Sequence, residues 1–460
     1  MKNTNKKGFT IVELVIVIAV IAILAAVLIP TFVGLVNKAN QAADQALAKE
    51  LNTVLTMAEA EGAEIDDFND ALKALRDGGY IVANLNPSAK GWFYVWESES
   101  NQILIVDSNE NKWEVVYSAK TLNNTTPGAT WHFAVSDISK VATIESLGAK
   151  VVYAPKNVEA LEGAFADVYA KGGTIVVSED ITMGSGQFLM KNDLSSEAKA
   201  TIDLAGNTIT NTSNIDYIVT GLETSKRFGQ LTAASGTLLI ANGTVNSSSD
   251  SSFVISAIEN GKVEVENVVV NNLASGGVAL RVLGETADMK VSNTTINLNA
   301  KGGGCEIGIG TATFDNVNIT INPENEHFSG ICLSASRGGT LTVNSGVYTA
   351  KGNATGVIGL YTTAGHVVIN GGTFKAENNA GKIFMSYLPT NTAYGTEHTI
   401  TLNGGTFVMG DKTVNISNLT EENYESEIRS LFKDAPENVS TWENHIVIEK
   451  IDGGYKVTIK

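Results

Sequence analysis

Glu13 is the first residue whose position asks for a chemical explanation. It stands in an apolar run, FTIVELVIVIAVIAILAAVLIPTFVGLV, that carries no other charge through Val36. A lone carboxylate at membrane depth costs about 2.5–3.5 kcal/mol on insertion scales, so such a group is normally functional and partnered. Lys2, Lys6 and Lys7 precede it, followed by Gly8 and Phe9. A cut between Gly8 and Phe9 would leave Glu13 as the fifth residue of the shortened chain. The free α-amine of Phe9, from a neighbouring subunit, would then be its natural counter-ion.

A second constellation lies far along the chain. Glu264 and Glu266 are alternate residues of one expected strand, about 7 Å apart, and Asp315 falls about 10 Å from Glu266. Two carboxylates at the first spacing suit an inverting glycosidase, one as acid and one as base. Lys290 is expected to stack over Glu264, which makes a surface ion pair the plainer reading. The flanking outward residues are Ser, Thr and Asn, with no aromatic platform for a sugar ring. No catalytic residue is therefore assigned. A polysaccharide-degrading enzyme using Glu264, Glu266 and Asp315 is kept as the alternative.

Metal and thiol chemistry have less support. His132, His327, His366, His398 and His445 are scattered without paired ligand spacing, so neither a metal nor another cofactor is expected. Cys305 and Cys332 are expected in adjacent coils on opposite faces of their strands, without a disulfide. Two longer loops are better candidates for ligand binding. Residues 221–235 carry Lys226, Arg227 and Phe228, and residues 388–398 carry Tyr394 and His398. Both are expected on the same edge of a rod-like domain, where a rigid scaffold often displays functional residues.

Composition narrows the classes. The chain has 460 residues, enough for more than one domain, with 43% hydrophobic residues. Two Cys among 460 residues exclude a disulfide-stapled scaffold. The 49 acidic against 32 basic side chains, a formal net charge of −17, set nucleic-acid binding aside.

The elements that must hold Glu13 are legible. From Leu14 to Val36 an uncharged helix would reach about 34 Å at about 1.5 Å per residue, enough to cross a bilayer core. The three lysines place the N-terminus in the cytoplasm by the positive-inside rule. A secretory signal peptide cut near Ala26 is the competing reading. Residues 37–61 continue with a helical period at Ala43, Ala46, Leu47, Leu51, Val54, Leu55 and Ala58. Pro30 and Gly34 could bend this helix. A short helix over 67–76 and strands over 92–97, 102–107 and 112–117 follow, and 121–130 (TLNNTTPGAT) reads as linker.

The segment Lys7-Gly8-Phe9, Glu13, the apolar stretch and Pro30 resembles the N-terminus of type IV prepilins and pseudopilins. The resemblance is specific for about thirty residues and weaker to about residue 118. It implies cleavage between Gly8 and Phe9 by a membrane prepilin peptidase, N-methylation of Phe9, and a role for Glu13 in setting subunit register during filament assembly. It further implies other pilin subunits, the assembly machinery of the cytoplasmic membrane, and membrane lipid before assembly as partners. The final location would be a cell-surface pilus. A surface glycan or host ligand would be bound by the outer domain. Major, minor or tip pilin and pseudopilin remain open, the chain being large for a major pilin.

The rest is a repeat. Eight segments share the order apolar, any, apolar, any, turn residue, two any, apolar: IDLAGNTI, LLIANGTV, VEVENVVV, MKVSNTTI, ATFDNVNI, LTVNSGVY, VVINGGTF and ITLNGGTF. Their fifth positions are Gly206, Asn242, Asn267, Asn293, Asn316, Ser345, Gly371 and Gly404. An earlier copy starts near Ile175, and a second strand follows each pattern. Turns of about 26 residues with short strands indicate a parallel β-helix. Position five suits a corner with positive φ, and its stacked asparagines suit a hydrogen-bonded ladder. A helix over 158–171 would cap one end; a helix over 420–432 and a hairpin over 445–460 would cap the other.

The expected fold is thus an α+β pilin-like module, a long N-terminal helix plus a small antiparallel sheet, followed by an all-β right-handed parallel β-helix. The expected divisions are a leader over 1–8, the membrane and assembly half-helix over 9–36, a head over 37–120 and a linker over 121–135. A connector with a cap helix follows over 136–173, then the β-helix over 174–411 and a C-terminal cap over 412–460.

Overall fold

The computed structural model describes residues 10–79, 85–108, 112–183, 188–190, 198–212, 229–247, 253–272, 278–298, 303–323, 330–361, 363–378, 381–386, 395–432 and 445–460. The chain forms two compact units, residues 1–134 with 142–150, and residues 135–141 with 151–460.

The first unit is built on α1 (Ile11–Ala60), a continuous helix that runs through Pro30. Its C-terminal half buries Asp44, Ala48, Leu51, Asn52 and Leu55, a stripe at helical spacing. Two of those five are polar, and each is satisfied by backbone. The Asn52 amide donates to the Ile103 carbonyl and accepts from the Ile103 N–H, both at 2.8 Å. The Asp44 carboxylate accepts from the N–H groups of Ser88 and Ala89 at 2.9 and 2.8 Å. Helix α2 (Phe68–Asp77) is opened by a capping box from Asp67 and Asp70. Strands β1 (Trp92–Glu97), β2 (Gln102–Asp107) and β3 (Glu114–Tyr117) form an antiparallel sheet.

One expectation fails here. Residues 131–135, assigned to a linker, form β4 (Trp131–Val135), which pairs antiparallel with β1 through Val95↔Phe133 and Trp96↔His132. The free edge of β1 needs a partner, and β4 brings the fully buried rings of Trp131 and Phe133 with it.

The second unit is the solenoid. α3 (Val141–Ser146) belongs almost wholly to the first unit; in the second, β5 (Lys150–Tyr153) leads to α4 (Val158–Lys171), N-capped by the Asn157 side chain accepting from Ala160 N–H. It buries Leu161, Ala164, Phe165, Val168 and Tyr169 against the first coil. Three columns of parallel strands follow. The first begins with Gly173–Val176 and Lys199–Asp203 and ends with His398–Leu402. The second runs from Ile181–Met183 to Thr406–Met409, and the third from Phe188–Met190 to Phe384–Ser386. Neighbouring coils pair in register, as in Val263↔Leu238 and Val263↔Met289. Ile175 pairs with Ile202, which places the earliest copy of the pattern in the first column.

Position three of the pattern, Leu204, Ile240, Val265, Val291, Phe314, Val343, Ile369 and Leu402, is buried throughout. At position eight the last coils stack aromatic rings: Tyr348 on Phe374 and Phe374 on Phe407, each pair with centroids 5.0 Å apart. Asn242, Asn267, Asn293 and Asn316 take positive φ at the corner between first and second columns. In the last three coils the positive φ moves one residue on, to Gly346, Gly372 and Gly405. Ser345, Gly371 and Gly404 are therefore not the strained residues of those corners. At Gly346 a Cβ would stand 1.9 Å from the Val317 carbonyl oxygen, so only glycine fits.

The C-terminal end closes each column. Gly454–Ile459, the second strand of a hairpin with Ile446–Ile451, lies antiparallel along His398–Leu402. Lys412–Asn415 lies antiparallel along Thr406–Met409. The expected helix over 420–432 is helical only at Tyr424–Arg429. Leu431 and Phe432 leave it to close the third column, the Leu431 carbonyl accepting from the N–H groups of Ile383 and Phe384.

Candidate functional site

The N-terminal half of α1 presents apolar side chains on all sides. Ile11 is 81% and Phe32 68% exposed, and the helix is long and apolar enough to cross a membrane. Gly8 and Phe9 lie outside the described residues. Glu13 is described, and it is engaged within its own helix. Its Oε2 accepts from the backbone N–H of Thr10 at 2.9 Å and from the Thr10 hydroxyl at 2.8 Å. The Glu13 N–H donates back to Thr10 Oγ1 at 3.2 Å. This is a capping box, and Thr-Ile-Val-Glu at positions 10–13 is its sequence signature. Glu13 stands out in the sequence as a charge among apolar residues, whereas Thr10 does not. The box fixes the carboxylate beside the helix start, where the helix dipole favours negative charge.

The carboxylates considered for catalysis lie on the outer face of the first column. Glu264 pairs with Lys290, and Glu266 pairs with Ser292, which pairs with Asp315. All three carboxylates are exposed.

The loop candidates are separated by the fold. Lys226, Arg227, Phe228 and Tyr394 lie outside the described residues. His398, assigned to a ligand loop, is a fully buried strand residue whose Nδ1 accepts from the Gly365 N–H at 3.1 Å. The two long segments also leave different corners. One joins Thr208–Asn211 to Gly229–Ala233, from second to third column; the other joins Phe384–Ser386 to His398–Leu402, from third to first. The expectation of a shared edge is corrected accordingly. Counting residues per coil locates an insertion only to within a coil, because strand boundaries depend on pairing.

Cys305 and Cys332 are buried free thiols, with Cys305 in register with Leu333. Burial pushes both thiols up from their usual range. Among the described residues no group of three His, Cys, Asp or Glu is placed to hold a metal ion.

Asparagine ladders run along the rod. At the first corner Asn267 donates to Asn242 at 3.3 Å and Asn316 to Asn293 at 2.8 Å. The last coils carry another ladder one position earlier, Asn403 to Asn370 to Asn344, each bond 2.9 Å. A third lies on the second column, Asn297 to Asn271 at 3.1 Å and Asn271 to Asn246 at 2.9 Å. Only the first is expected from the repeat pattern.

Residues 3–29 match the family described as the prokaryotic N-terminal methylation motif. The chain is 42% identical over 73 residues to the type IV narrow pilus major component PilA5 of Thermus thermophilus, covering 16% of this chain and 62% of that protein. It is 64% identical over 36 residues to the type IV wide pilus major component PilA4 of the same organism, covering 8% of this chain and 28% of that protein. The chain thus spans less than two thirds of the length of either relative. No solved structure matches it. A type IV pilin-like N-terminal segment and a C-terminal parallel β-solenoid therefore share this chain.

Proposed function

We propose that this chain is a type IV pilin-like subunit, cut between Gly8 and Phe9, N-methylated at Phe9, and assembled into a surface filament that displays its solenoid for adhesion. The observation that carries this reading is the fully unburied apolar half of α1, joined to residues that match the methylation motif. Such a helix needs lipid before assembly and neighbouring helices afterwards.

Glu13 supplies the register. Both bonds from Thr10 fall on Oε2, which leaves Oε1 to accept from the α-amine of a neighbour's Phe9. A charge-assisted bond of this kind, formed away from water, holds one helix at one height on the next. Prepilin peptidase, other pilin subunits and the assembly machinery of the cytoplasmic membrane are the partners. The lysines before Gly8 keep the N-terminus inside, and the head and solenoid emerge outside. The exposed carboxylates of the first column fit a displayed binding module better than a catalyst.

Mass spectrometry of the N-terminal peptide from host surface material tests the reading. A peptide starting at N-methylated Phe9 is expected. A start near Ala26 would make the chain a freely secreted β-helix and remove the assembly argument. Glu13→Ala should abolish filaments while the external units keep their circular dichroism.

A further inference from the structure

The outward rows of the second column differ from the rest of the surface. They run through Thr208, Thr244, Val269, Thr295, Asn318, Val347, Thr373 and Thr406, and through the parallel row two residues on. From Thr182 to Val408 these rows hold threonine, asparagine and valine, Thr349 among them buried, with Lys375 the single charge among the described residues; the exposed Asp180 stands at their start, accepting from the Thr208 N–H at 2.8 Å. Lys351 and Glu377, at the strand ends, neutralise each other at 3.9 Å. The chain as a whole carries a formal net charge of −17, and the first column alone exposes Lys262, Glu264, Glu266 and Lys290.

We infer that this second-column face is the adhesive surface, and that its ligand is an uncharged polysaccharide lying along the rod. The inference rests on the adhesive role proposed above and assigns it a face and a ligand class. Charge decides among occupants. A nucleic acid or an anionic membrane needs a basic surface, which is absent from these rows. An acidic polysaccharide gains nothing from a neutral face. A neutral polyol needs donors and acceptors at fixed spacing, and the face supplies them.

The ladder makes those groups ready. Asn271 spends one N–H on Asn246 and one oxygen lone pair on Asn297, while Asn246 donates in turn to the Thr210 hydroxyl at 3.4 Å. The other N–H and lone pair of each amide are not used by the ladder. Successive groups are one coil apart, about 4.8 Å. Side chains already held by the ladder lose little further freedom when a ligand binds, so weak neutral bonds can sum to useful affinity.

The test uses the full-length protein in detergent, so it needs no filament and can succeed or fail independently of N-terminal processing. The probes are insoluble cellulose, chitin, mannan and starch, with alginate and pectate gels as acidic counterparts. Co-sedimentation with a neutral polymer, unchanged by added salt, is expected. Asn271→Asp with Thr320→Glu should weaken retention at least about tenfold. Thr320→Lys alone, a milder outward change, should do the same in direction. Thr342→Glu on the first column should leave retention intact. Retention by none of the neutral polymers would overturn the inference, as would retention that ignores the second-column variants.

Discussion

In the head, Asn52 of α1 bonds both backbone groups of Ile103, and the Gln102 amide of β2 bonds both of Lys120, each joining segments unrelated by any repeat. In the solenoid, Asn370 bonds Asn344 and is bonded by Asn403, and the same relation recurs at other coils. The head is therefore assembled from single contacts between elements of different kinds. The solenoid is assembled from one contact copied along an axis. Loss of a single contact should be felt across the whole head, because no neighbour duplicates it. In a quasi-one-dimensional stack, damage should stay near its coil.

The sharpest way to break this contrast is at the aromatic stack. Phe374 is buried between Tyr348 and Phe407. Phe374→Ala should cost about 3–5 kcal/mol. Hydrogen exchange should accelerate in the coils from 340 onward and remain slow in those before 270. Uniform acceleration across the solenoid would show a single cooperative core instead of a stack.

Asn52→Ala comes next. It strands the N–H and carbonyl of Ile103 against a buried interface, at a cost of about 1–3 kcal/mol. Urea unfolding followed by tryptophan fluorescence measures it, since four of the five tryptophans, Trp92, Trp96, Trp113 and Trp131, lie in the head. The matching solenoid change, Asn370→Ala, removes two ladder bonds from an exposed corner and should cost about 0.5 kcal/mol. Equal effects at the two sites would erase the distinction between single and repeated contacts.

The smallest effect is in pH. Burial, and then the Lys150 charge, hold His132 of the head below its ordinary value of 6.5. The unfolded head then takes up this proton at a higher pH than the folded head does. Its stabilising contribution is complete above pH 6.5 and is lost as pH falls toward the depressed folded value. His132→Phe should flatten that slope in the tryptophan signal. An unchanged slope would assign the acid sensitivity of the head to its other groups.

Legibility follows the same division. The solenoid pattern was readable because each apolar position repeats, so that Leu204 through Leu402 identify one another as a column. Strand β4 was not readable, because WHFAV follows a Pro-Gly turn and has no repeat to compare with; only the free edge of β1 calls for it. Asp44 and Asn52 look like solvent residues of an amphipathic helix, and their burial depends on backbone groups 44 and 51 residues away. His398 was placed on a loop for a similar reason. The residue count of its coil shows that a loop exists, but only pairing with Thr399↔His366 and His398↔Ile459 shows where the strand resumes. At the candidate assembly site, Glu13 is conspicuous as a charge among apolar neighbours, and Thr10 gains meaning only once the helix start is placed.

The order of residues by itself determined the apolar N-terminal helix, the methylation segment, the repeat and the caps, because hydrophobic periodicity acts through neighbours close in the chain or through many equivalent copies. The tertiary structure alone decided which corner each long segment leaves and which glycine takes the left-handed turn. It also decided that the threonine, asparagine and valine rows from Thr182 to Val408 align on one face. Each of these depends on pairing between residues a full coil apart, where one residue of register turns a side chain from the interior to the surface.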